Sequence, residues 1–311
     1  MIITLTLNPA VDQTMFLERL ATGEVNRVRE TQLDPAGKGI NASRIAHRLG
    51  WPTIAFGVSA GESGVIVQRA LDDEGVQHHF VRLAGRTRIN VTIVEDATGR
   101  ATSLYGPGPA VDSQHLAAVE DLVRFWLPSG RVLVLAGSLP PTAPDDTYAR
   151  YIRLAREHGV TAILDSSGEP LRRGLDAVPS VIKPNVAEAE ELLGRALGDV
   201  DAVVKGAREL AARGIDVVVI SMGAEGSVCI QGKRVWRIVP PVVERQSTVG
   251  SGDSFVAGLA IALARGDDLV EGLRLGTAAG AATAMSAGTA LASVNDVSRL
   301  LPDVGIEVID A

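Results

Sequence analysis

Short runs of β-branched and apolar residues recur along this chain, and most are followed by a turn and then by a segment with helical periodicity. Typical runs are residues 2–7, 132–136 and 217–220, in which apolar side chains are not interrupted by charged ones. Strands that are apolar on both faces belong to parallel sheets covered by helices on both sides. The alternation therefore predicts an α/β fold, a three-layer sandwich with a mainly parallel central sheet, formed by residues 1–311 as a single domain.

Residues 86–106 interrupt this pattern with a strand of another kind. Residues 85–94 include alternating polar and apolar side chains, which predicts a strand with one face in water, and residues 99–104 can pair back on it. The more polar stretch 13–35 can join the same sheet. We therefore expect a small discontinuous β-sheet, about residues 13–35 and 86–106, which forms a lid over the ligand edge of the main sheet.

Charge and cysteine content narrow the class of protein. The net charge is −7, and no run of Lys and Arg is long enough to form a basic stripe, which argues against nucleic acid as a partner. No segment has the length of a membrane span, and the first twelve residues lack the basic start of a signal peptide. The single cysteine, Cys229, lies in a strand-like run and is expected to be a buried, inert thiol. These features predict a cytoplasmic protein.

The turn Gly250-Ser251-Gly252-Asp253 comes directly before an apolar helical segment. A glycine-rich turn at a helix start aims several free N–H groups at one point, which makes an anion site. A carboxylate repels phosphate there unless it takes a proton from a hydroxyl that attacks the phosphate. Asp253 is therefore a candidate base. The alternative is that Asp253 only stabilises the helix N-terminus.

A second glycine-rich segment, Gly37-Lys38-Gly39, begins a predicted helix that includes Asn41. Its spacing formally fits a dinucleotide fingerprint, but the preceding strand ends near Asn8, too early for the tight strand-to-helix turn that this fingerprint needs. It is not a Walker A loop, because Lys38 is followed by Gly39. The loop can close over an anion with Lys38 as a point charge, or Lys38 is simply solvated.

Asn185 and Glu188 have the spacing of the N-cap and N3 residues of a helix. This pattern predicts a capping box, in which the two side chains bond each other's backbone N–H groups. The same oxygens can serve a hard cation such as Mg²⁺, directly or through water. The two roles can coexist.

Glycines and polar residues follow the predicted strands of the main sheet. Since ligands bind beyond the carboxyl ends of strands in open α/β sheets, we expect these residues to share one edge. The residues at this edge are Asp12, Gly137, Asp165, Lys183 to Asn185, Gly223 and Gly250 to Asp253.

With these motifs, the chain resembles the ribokinase-like, phosphofructokinase-B-type carbohydrate kinases over essentially its full length. The segments that carry the resemblance are Leu7-Asn8-Pro9-Ala10-x-Asp12, Gly37-Lys38-Gly39-x-Asn41, Gly137-Ser138-Leu139-Pro140, Lys183-Pro184-Asn185-x-x-Glu188, Ser221-x-Gly223-Ala224-Glu225-Gly226 and Thr248 to Ser254.

Within that family the chain is most similar to the bacterial 1-phosphofructokinases, and next to the tagatose-6-phosphate kinases. Lys38 between glycines and Arg88 with Asn90 are typical of members that act on sugar phosphates. Two positions depart from the pattern: Thr92 stands where many 1-phosphofructokinases carry Lys, and Ser251 replaces a common Ala.

The resemblance implies ATP-dependent phosphorylation of a ketohexose phosphate, with Mg²⁺. Asp253 would be the base, and the N–H groups of Gly250, Ser251, Gly252 and Asp253 would form the anion hole. The residues implied to bind substrate are Asp12, Gly37, Lys38, Gly39, Asn41, Arg88, Asn90 and Ser138. Those implied to bind the nucleotide are Lys183, Asn185, Ser221, Gly223, Gly226, Gly250 and Gly252. Asn185 and Glu188 would lie near the metal.

Fructose 1-phosphate, giving fructose 1,6-bisphosphate, is the substrate that the resemblance favours. The alternatives are tagatose 6-phosphate and fructose 6-phosphate within the same family, since Lys38 and Arg88 could serve either phosphate position. A non-catalytic sensor of sugar phosphates or nucleotides is an alternative of a different class. Family members often dimerise through the lid, so a homodimer is also expected.

Overall fold

The computed structural model describes residues 1–286 and 288–310, so residues 287 and 311 of the predicted single domain lie outside it. In this described part, ten strands form one sheet in the order β14-β13-β12-β11-β10-β9-β8-β1-β4-β5. The strands from β11 to β5 are parallel, and β12, β13 and β14 run antiparallel. The strands are β1 Ile2–Thr6, β4 Thr53–Ala60, β5 Gln77–Leu83, β8 Val132–Ala136, β9 Thr161–Asp165, β10 Val181–Ile182, β11 Val217–Ser221, β12 Ser227–Gln231, β13 Arg234–Val239 and β14 Gly305–Asp310.

Helices cover both faces of this sheet. They are α1 Lys38–Arg48, α2 Gly61–Glu74, α3 Ser113–Trp126, α4 Thr147–Glu157, α5 Gly168–Leu175, α6 Val186–Leu193, α7 Val200–Ala211, α8 Ser251–Arg265, α9 Leu269–Ala284 and α10 Val294–Leu300. One large apolar cluster contains residues of α3 to α7, and another contains residues of α1, α8, α9 and α10.

Successive residues of the central strands pack alternately into the two apolar clusters. In β1, Ile3 and Leu5 pack in the first cluster while Ile2 packs in the second, and in β8 Leu133 and Val134 divide in the same way. Successive side chains of a strand point to opposite faces, so a strand buried on both sides must be apolar at every position. The predicted three-layer α/β sandwich is confirmed.

Four further strands form a separate sheet in the order β3-β2-β6-β7. They are β2 Ala10–Leu17, β3 Glu30–Ala36, β6 Arg88–Glu95 and β7 Ala101–Leu104. β2 and β6 are parallel, whereas β2 with β3 and β6 with β7 are antiparallel. The small sheet predicted from the polar stretches is thus present, and its first strand begins at residue 10 rather than near residue 13.

The position predicted for Asp12 was wrong. The sequence predicts Asp12 just past the end of the first strand of the main sheet, but it lies within β2 of the small sheet. The first strand ends at Thr6, and the chain enters a new strand at Ala10 immediately after Asn8 and Pro9. Asn-Pro breaks a strand, but it does not indicate whether a helix or another strand follows.

Two expectations from the composition concern the burial of Cys229 and the absence of a segment long enough to span a membrane. Cys229 is fully buried, and burial raises the pKa of its thiol above the ordinary value. Within residues 1–286 and 288–310, none of the helices combines the length and the apolar character that crossing a bilayer would require.

Candidate active site

Helix α8 begins at a turn whose conformation favours glycine. Gly250 has φ 79°, a left-handed conformation, and a Cβ on it would lie 2.8 Å from Leu291 Cδ2. The N–H groups of a first helical turn have no partners within the helix, and they carry partial positive charge. Asp253 lies in this first turn and is 7% exposed. A carboxylate is therefore buried at a site suited to an anion.

Asp253 is held from the opposite side by α1. Asn41 donates a hydrogen bond from Nδ2 to Asp253 Oδ2 at 2.8 Å. Burial and the negative charge of Asp165 raise the pKa of Asp253 to about 6, although Lys38, Asn41 and Lys183 act in the other direction. A carboxyl group with this pKa is ionised at neutral pH yet basic enough to accept a proton during reaction.

Asp165 joins two lysines from different parts of the chain. Its Oδ1 accepts from Lys38 Nζ at 3.1 Å and lies 3.4 Å from Lys183 Nζ. Asp165 is the last residue of β9, and Lys183 directly follows the neighbouring strand β10. Burial alone would raise the pKa of Asp165, but Lys183 and Lys38 hold it below its usual range. The carboxylate of Asp165 therefore stays charged inside the site.

The glycines around Lys38 are required by close packing against β1. Gly37 has φ 138°, and a Cβ there would lie 2.7 Å from Thr6 Cγ2. A Cβ on Gly39 would lie 2.6 Å from Thr6 Oγ1 and 3.0 Å from Leu5 O. Real Cβ atoms do not approach other atoms this closely, so both positions need glycine to bring the start of α1 onto the strand end.

The small sheet presents polar side chains towards this edge. Asn90 Nδ2 donates to Asp12 Oδ1 at 2.8 Å across the β2–β6 pair. Arg88 Nη2 donates to Asn8 O at 2.9 Å, and Arg88 Nη1 donates to Gly106 O at 3.2 Å. Burial raises the pKa of Asp12, which the bond from Asn90 and the charge of Arg88 partly offset.

Asn8 connects Arg88 of the small sheet to the turn that follows β8 of the main sheet. Its Nδ2 donates to Ser138 Oγ at 3.2 Å and to Leu139 O at 3.2 Å. Ser138 follows β8, so the bond connects the turn after that strand with the backbone that receives Arg88. Hydrogen bonds thus link Arg88 of the small sheet to Ser138 through Asn8, whereas Lys38 and Asn41 on α1 bond to Asp165 and Asp253.

A cavity of about 560 Å³ opens beside the Gly250 turn. Lys183, Asn185, Ser251 and Gly252 line one part of it, and apolar residues of the segment 240–243 line another. The floor is formed by small residues of α9, including Gly280 and Ala281. This combination of a cationic, N–H-rich part and a flat apolar part suits a phosphorylated ligand with a planar ring.

The predicted nucleotide residues line this cavity with one exception, Gly250, which lies at the N-cap of α8 and is not among the lining residues. Ser221, Gly223 and Gly226 line it together with Lys183, Asn185 and Gly252. Sequence reasoning missed Thr277 and Arg245, which also line it. Thr277 is 7% exposed, and its Oγ1 has no hydrogen-bond partner in the described residues. A threonine in an alanine-rich helix gives no signal of this kind.

Asn185 and Glu188 form the capping box that their spacing predicts. Glu188 N donates to Asn185 Oδ1 and Asn185 N donates to Glu188 Oε2, each at 2.9 Å. The described residues contain no cluster of three or more His, Cys, Asp or Glu side chains able to hold a metal. Mg²⁺ commonly takes one or two carboxylates plus substrate phosphates and water, so Glu188 beside the cavity is compatible with a metal delivered with a nucleotide.

Comparison with known proteins gives a consistent result. A model of the pfkB family carbohydrate kinases matches residues 5–296. A 1-phosphofructokinase of Xanthomonas campestris pv. campestris is 40% identical over 274 residues, which cover 86% of this chain and 85% of that protein. A 1-phosphofructokinase of Borreliella burgdorferi is 33% identical over 308 residues, which cover 99% of this chain and 98% of that protein.

A solved structure is similar over the same range. Phosphofructokinase-2 from Escherichia coli, crystallised in complex with substrates and products, has a TM-score of 0.92 and 32% identity. The similarity covers 97% of this chain and 98% of that one. The small sheet and Asp253 lie within residues 5–296, the range that the family model matches.

Proposed function

Because this chain belongs to the pfkB family of carbohydrate kinases, we propose that it transfers the γ-phosphoryl group of ATP to fructose 1-phosphate and forms fructose 1,6-bisphosphate. Its 1-phosphofructokinase relatives, at 33% and 40% identity, support this substrate over other ketohexose phosphates. The product carries phosphate on C6 as well as on C1.

The observation that carries the proposal is the position of Asp253. Its carboxylate is buried in the first turn of α8, beside the N–H groups of that turn, and Asn41 fixes one of its oxygens. The helix dipole favours a negative charge in a first turn, but a purely structural acid gains this benefit at the surface and does not need to be buried, as Asp253 is. A base that deprotonates a hydroxyl as the hydroxyl attacks phosphorus needs this arrangement.

In the proposed reaction, O6 of the sugar attacks the γ-phosphorus of ATP. The bond between O6 and phosphorus forms, the bond from phosphorus to the bridging oxygen of ADP breaks, and the proton of the hydroxyl moves to Asp253. The N–H groups from Gly250 to Asp253 stabilise the negative charge of the transferring group. Asp12 and Asn41 hold sugar hydroxyls, with Asn90, Ser138 and the backbone of Gly37 and Gly39 shaping the pocket.

The phosphate already on the substrate needs cations of its own. Lys38 and Arg88 fulfil this role in our proposal, and they approach the site from α1 and from the small sheet. The guanidinium of Arg88 can bind a phosphate with two parallel hydrogen bonds, whereas Lys38 acts as a point charge.

ATP occupies the cavity beside the Gly250 turn, with its phosphates near Lys183 and Gly252 and its base over the small residues of α9. Asn185 lines the cavity and Glu188 is bonded to it, so these two residues would hold Mg²⁺, in part through water. The metal, when bound, neutralises charge on the phosphates. Use of ATP and a single buried cysteine fit the cytoplasmic location that the sequence predicts.

We further propose that the small sheet is a lid and that two copies of the chain pair through it. Strand register places Leu33, Ile89 and Leu104 on one face, and they are 51%, 47% and 59% exposed. Asp12 and Asn90 lie on the opposite face. An apolar outer face with a polar inner one fits a sheet that covers a site and binds a second copy.

The experiment is a comparison of kcat/KM for fructose 1-phosphate, tagatose 6-phosphate and fructose 6-phosphate with purified protein, ATP and Mg²⁺. A clear preference for fructose 1-phosphate is expected. A preference for either 6-phosphate would keep the chemistry and reverse the pose of the sugar between Asp253 and Arg88. Binding of these ligands without turnover of any of them would favour a sensor and overturn the proposal.

A further inference from the structure

Asp165 occupies a central position that the roles above leave unassigned. It is 1% exposed, and its Oδ1 is shared by two ammonium groups, at 3.1 Å from Lys38 and 3.4 Å from Lys183. Lys38 belongs to the loop proposed to bind the sugar phosphate, whereas Lys183 lines the nucleotide cavity. One buried oxygen therefore connects the two substrate sides of the site, the side proposed for the sugar phosphate and the side of the nucleotide cavity.

The two lysines are not equivalent in this arrangement. The side chain of Lys183 is 6% exposed, and that of Lys38 is 36% exposed. A long cationic side chain that is partly exposed keeps a single position only if a partner holds it, because fixing its rotatable bonds costs entropy. A buried ammonium group without a counter-charge is strongly unfavourable. Asp165 supplies the partner that holds Lys38 in position and the counter-charge that the buried Lys183 requires.

We propose that Asp165 is a positioning residue that holds Lys38 beside Asp253 and holds Lys183 at the nucleotide cavity, and so organises both substrate sides at once. This inference rests on the proposed kinase function. Asp165 itself touches neither the sugar hydroxyl nor the transferred phosphoryl group in this account. It acts through the two lysines and through its charge near Asp253.

The charges around Asp253 determine what loss of Asp165 should do. The groups that face Asp253 are Asp165 at the end of β9, Lys183 after β10, and Lys38 and Asn41 on α1. Asp165 makes Asp253 harder to ionise, and Lys183 makes it easier to ionise. Removing Asp165 or removing Lys183 should therefore move the ionisation of the base in opposite directions, which loss of packing would not do.

The test compares the pH dependence of kcat/KM for fructose 1-phosphate in the wild type, Asp165→Asn and Lys183→Met. On the acid side of this profile, the acid limb, kcat/KM falls as Asp253 becomes protonated. We expect the acid limb to move to lower pH by about one pH unit in Asp165→Asn, and to higher pH in Lys183→Met. Because a phosphate monoester also titrates near pH 6, the differences between variants carry the information rather than the absolute midpoint. Asp216→Asn, which removes an exposed carboxylate elsewhere, is the matched control and should leave the limb unmoved.

A second readout does not depend on turnover. Calorimetric titration with fructose 1-phosphate and with a non-hydrolysable ATP analogue should show about tenfold weaker binding of both ligands to Asp165→Asn. Lys183→Met should weaken binding of the nucleotide analogue alone. Circular dichroism checks that each variant is folded, and Lys183→Met provides the test if Asp165→Asn is not.

The outcomes separate this inference from the function on which it rests. Absence of turnover in the wild type would remove the function itself. Normal wild-type turnover with an acid limb that does not move in Asp165→Asn, or moves in the same direction in both variants, would overturn the positioning role alone. In Asp165→Asn, weakened binding on one substrate side only would also overturn it.

Discussion

Asn41 donates a hydrogen bond of 2.8 Å to Asp253, a residue 212 positions later in the chain. The bond joins the first turn of α1 to the first turn of α8. It fixes Oδ2 of the carboxylate, which leaves Oδ1 to face an attacking hydroxyl in the proposed reaction. Two glycine-rich helix starts, remote in sequence, thereby form one site.

Keeping a carboxylate buried at this site should reduce the stability of the fold. Burial raises the pKa of Asp253 to about 6, against about 3.9 in an unfolded chain. The folded state therefore binds the proton more tightly, so this group favours folding at low pH and the benefit is lost as the pH rises through 6. The cost above that pH is of the order of 3 kcal/mol.

Asp253→Asn should accordingly be more stable than the wild type at pH 8, by up to about 3 kcal/mol, and nearly equal to it at pH 4. Urea unfolding of both proteins at the two pH values measures the difference. All other titrating groups are common to both proteins, so the difference reports the ionisation of Asp253 together with its interaction with Asp165, Lys38 and Lys183. An equal difference in stability at both pH values would show that Asp253 is not held at a raised pKa.

Arg88→Lys should impair binding of the sugar phosphate. The substitution keeps the positive charge but removes the planar guanidinium group, which also donates hydrogen bonds to Asn8 O and Gly106 O. We expect KM for fructose 1-phosphate to rise about 10- to 100-fold, with kcat within a few-fold of the wild type and KM for ATP unchanged. Steady-state kinetics with each substrate varied measures this.

The neighbouring Arg86 provides the control for that substitution. It is exposed and lies just before β6, so Arg86→Lys should leave every constant unchanged. A KM for fructose 1-phosphate that stays normal in Arg88→Lys would remove Arg88 from the phosphate subsite.

Gly39→Ala should destabilise the protein even though alanine favours helices. Helix propensity alone would stabilise by about 1 kcal/mol. A Cβ at this position would lie 2.6 Å from Thr6 Oγ1 and 3.0 Å from Leu5 O, and the backbone carbonyl cannot move away. Overpacking of this kind costs about 1–3 kcal/mol, so the clash should dominate.

Urea unfolding of Gly39→Ala measures the outcome, and Gly198→Ala is the control. A Cβ on Gly198 would meet no atom within 4 Å, and the backbone there has no positive φ, so its replacement should be nearly neutral. A Gly39→Ala protein as stable as the wild type, with unchanged kinetics, would show that α1 can move off β1 without harm to the site.

Ile89→Lys should prevent dimerisation through the small sheet. Ile89 lies on the exposed apolar face with Leu33 and Leu104, so a charge there would be buried between two copies. Light scattering coupled to size exclusion should show a dimer for the wild type and a monomer for the variant. Phe125→Lys changes an exposed aromatic residue outside this sheet and should leave the dimer intact. A monomeric wild type would contradict the proposal.

The sequence was sufficient for the layers of the fold and for the positions of Asp165 and Lys183 at the ends of β9 and β10, because apolar strands and the turns after them are local features. It failed for Asp12, since a strand break at Asn8-Pro9 does not reveal that the next element belongs to another sheet. The pairing of Asp165 with Lys38 and Lys183 could not be predicted from the sequence either. Residues far apart in sequence meet there through the order of the strands, which no local pattern encodes.

The role of Asp253 is the central claim, and the kinetics of Asp253→Asn with ATP and fructose 1-phosphate test it most directly. The amide keeps the shape and can still accept the bond from Asn41, but it cannot take a proton. We expect kcat to fall by about 10³- to 10⁴-fold while calorimetry shows both substrates bound with nearly wild-type affinity. Turnover close to that of the wild type would contradict the assignment of Asp253 as the base.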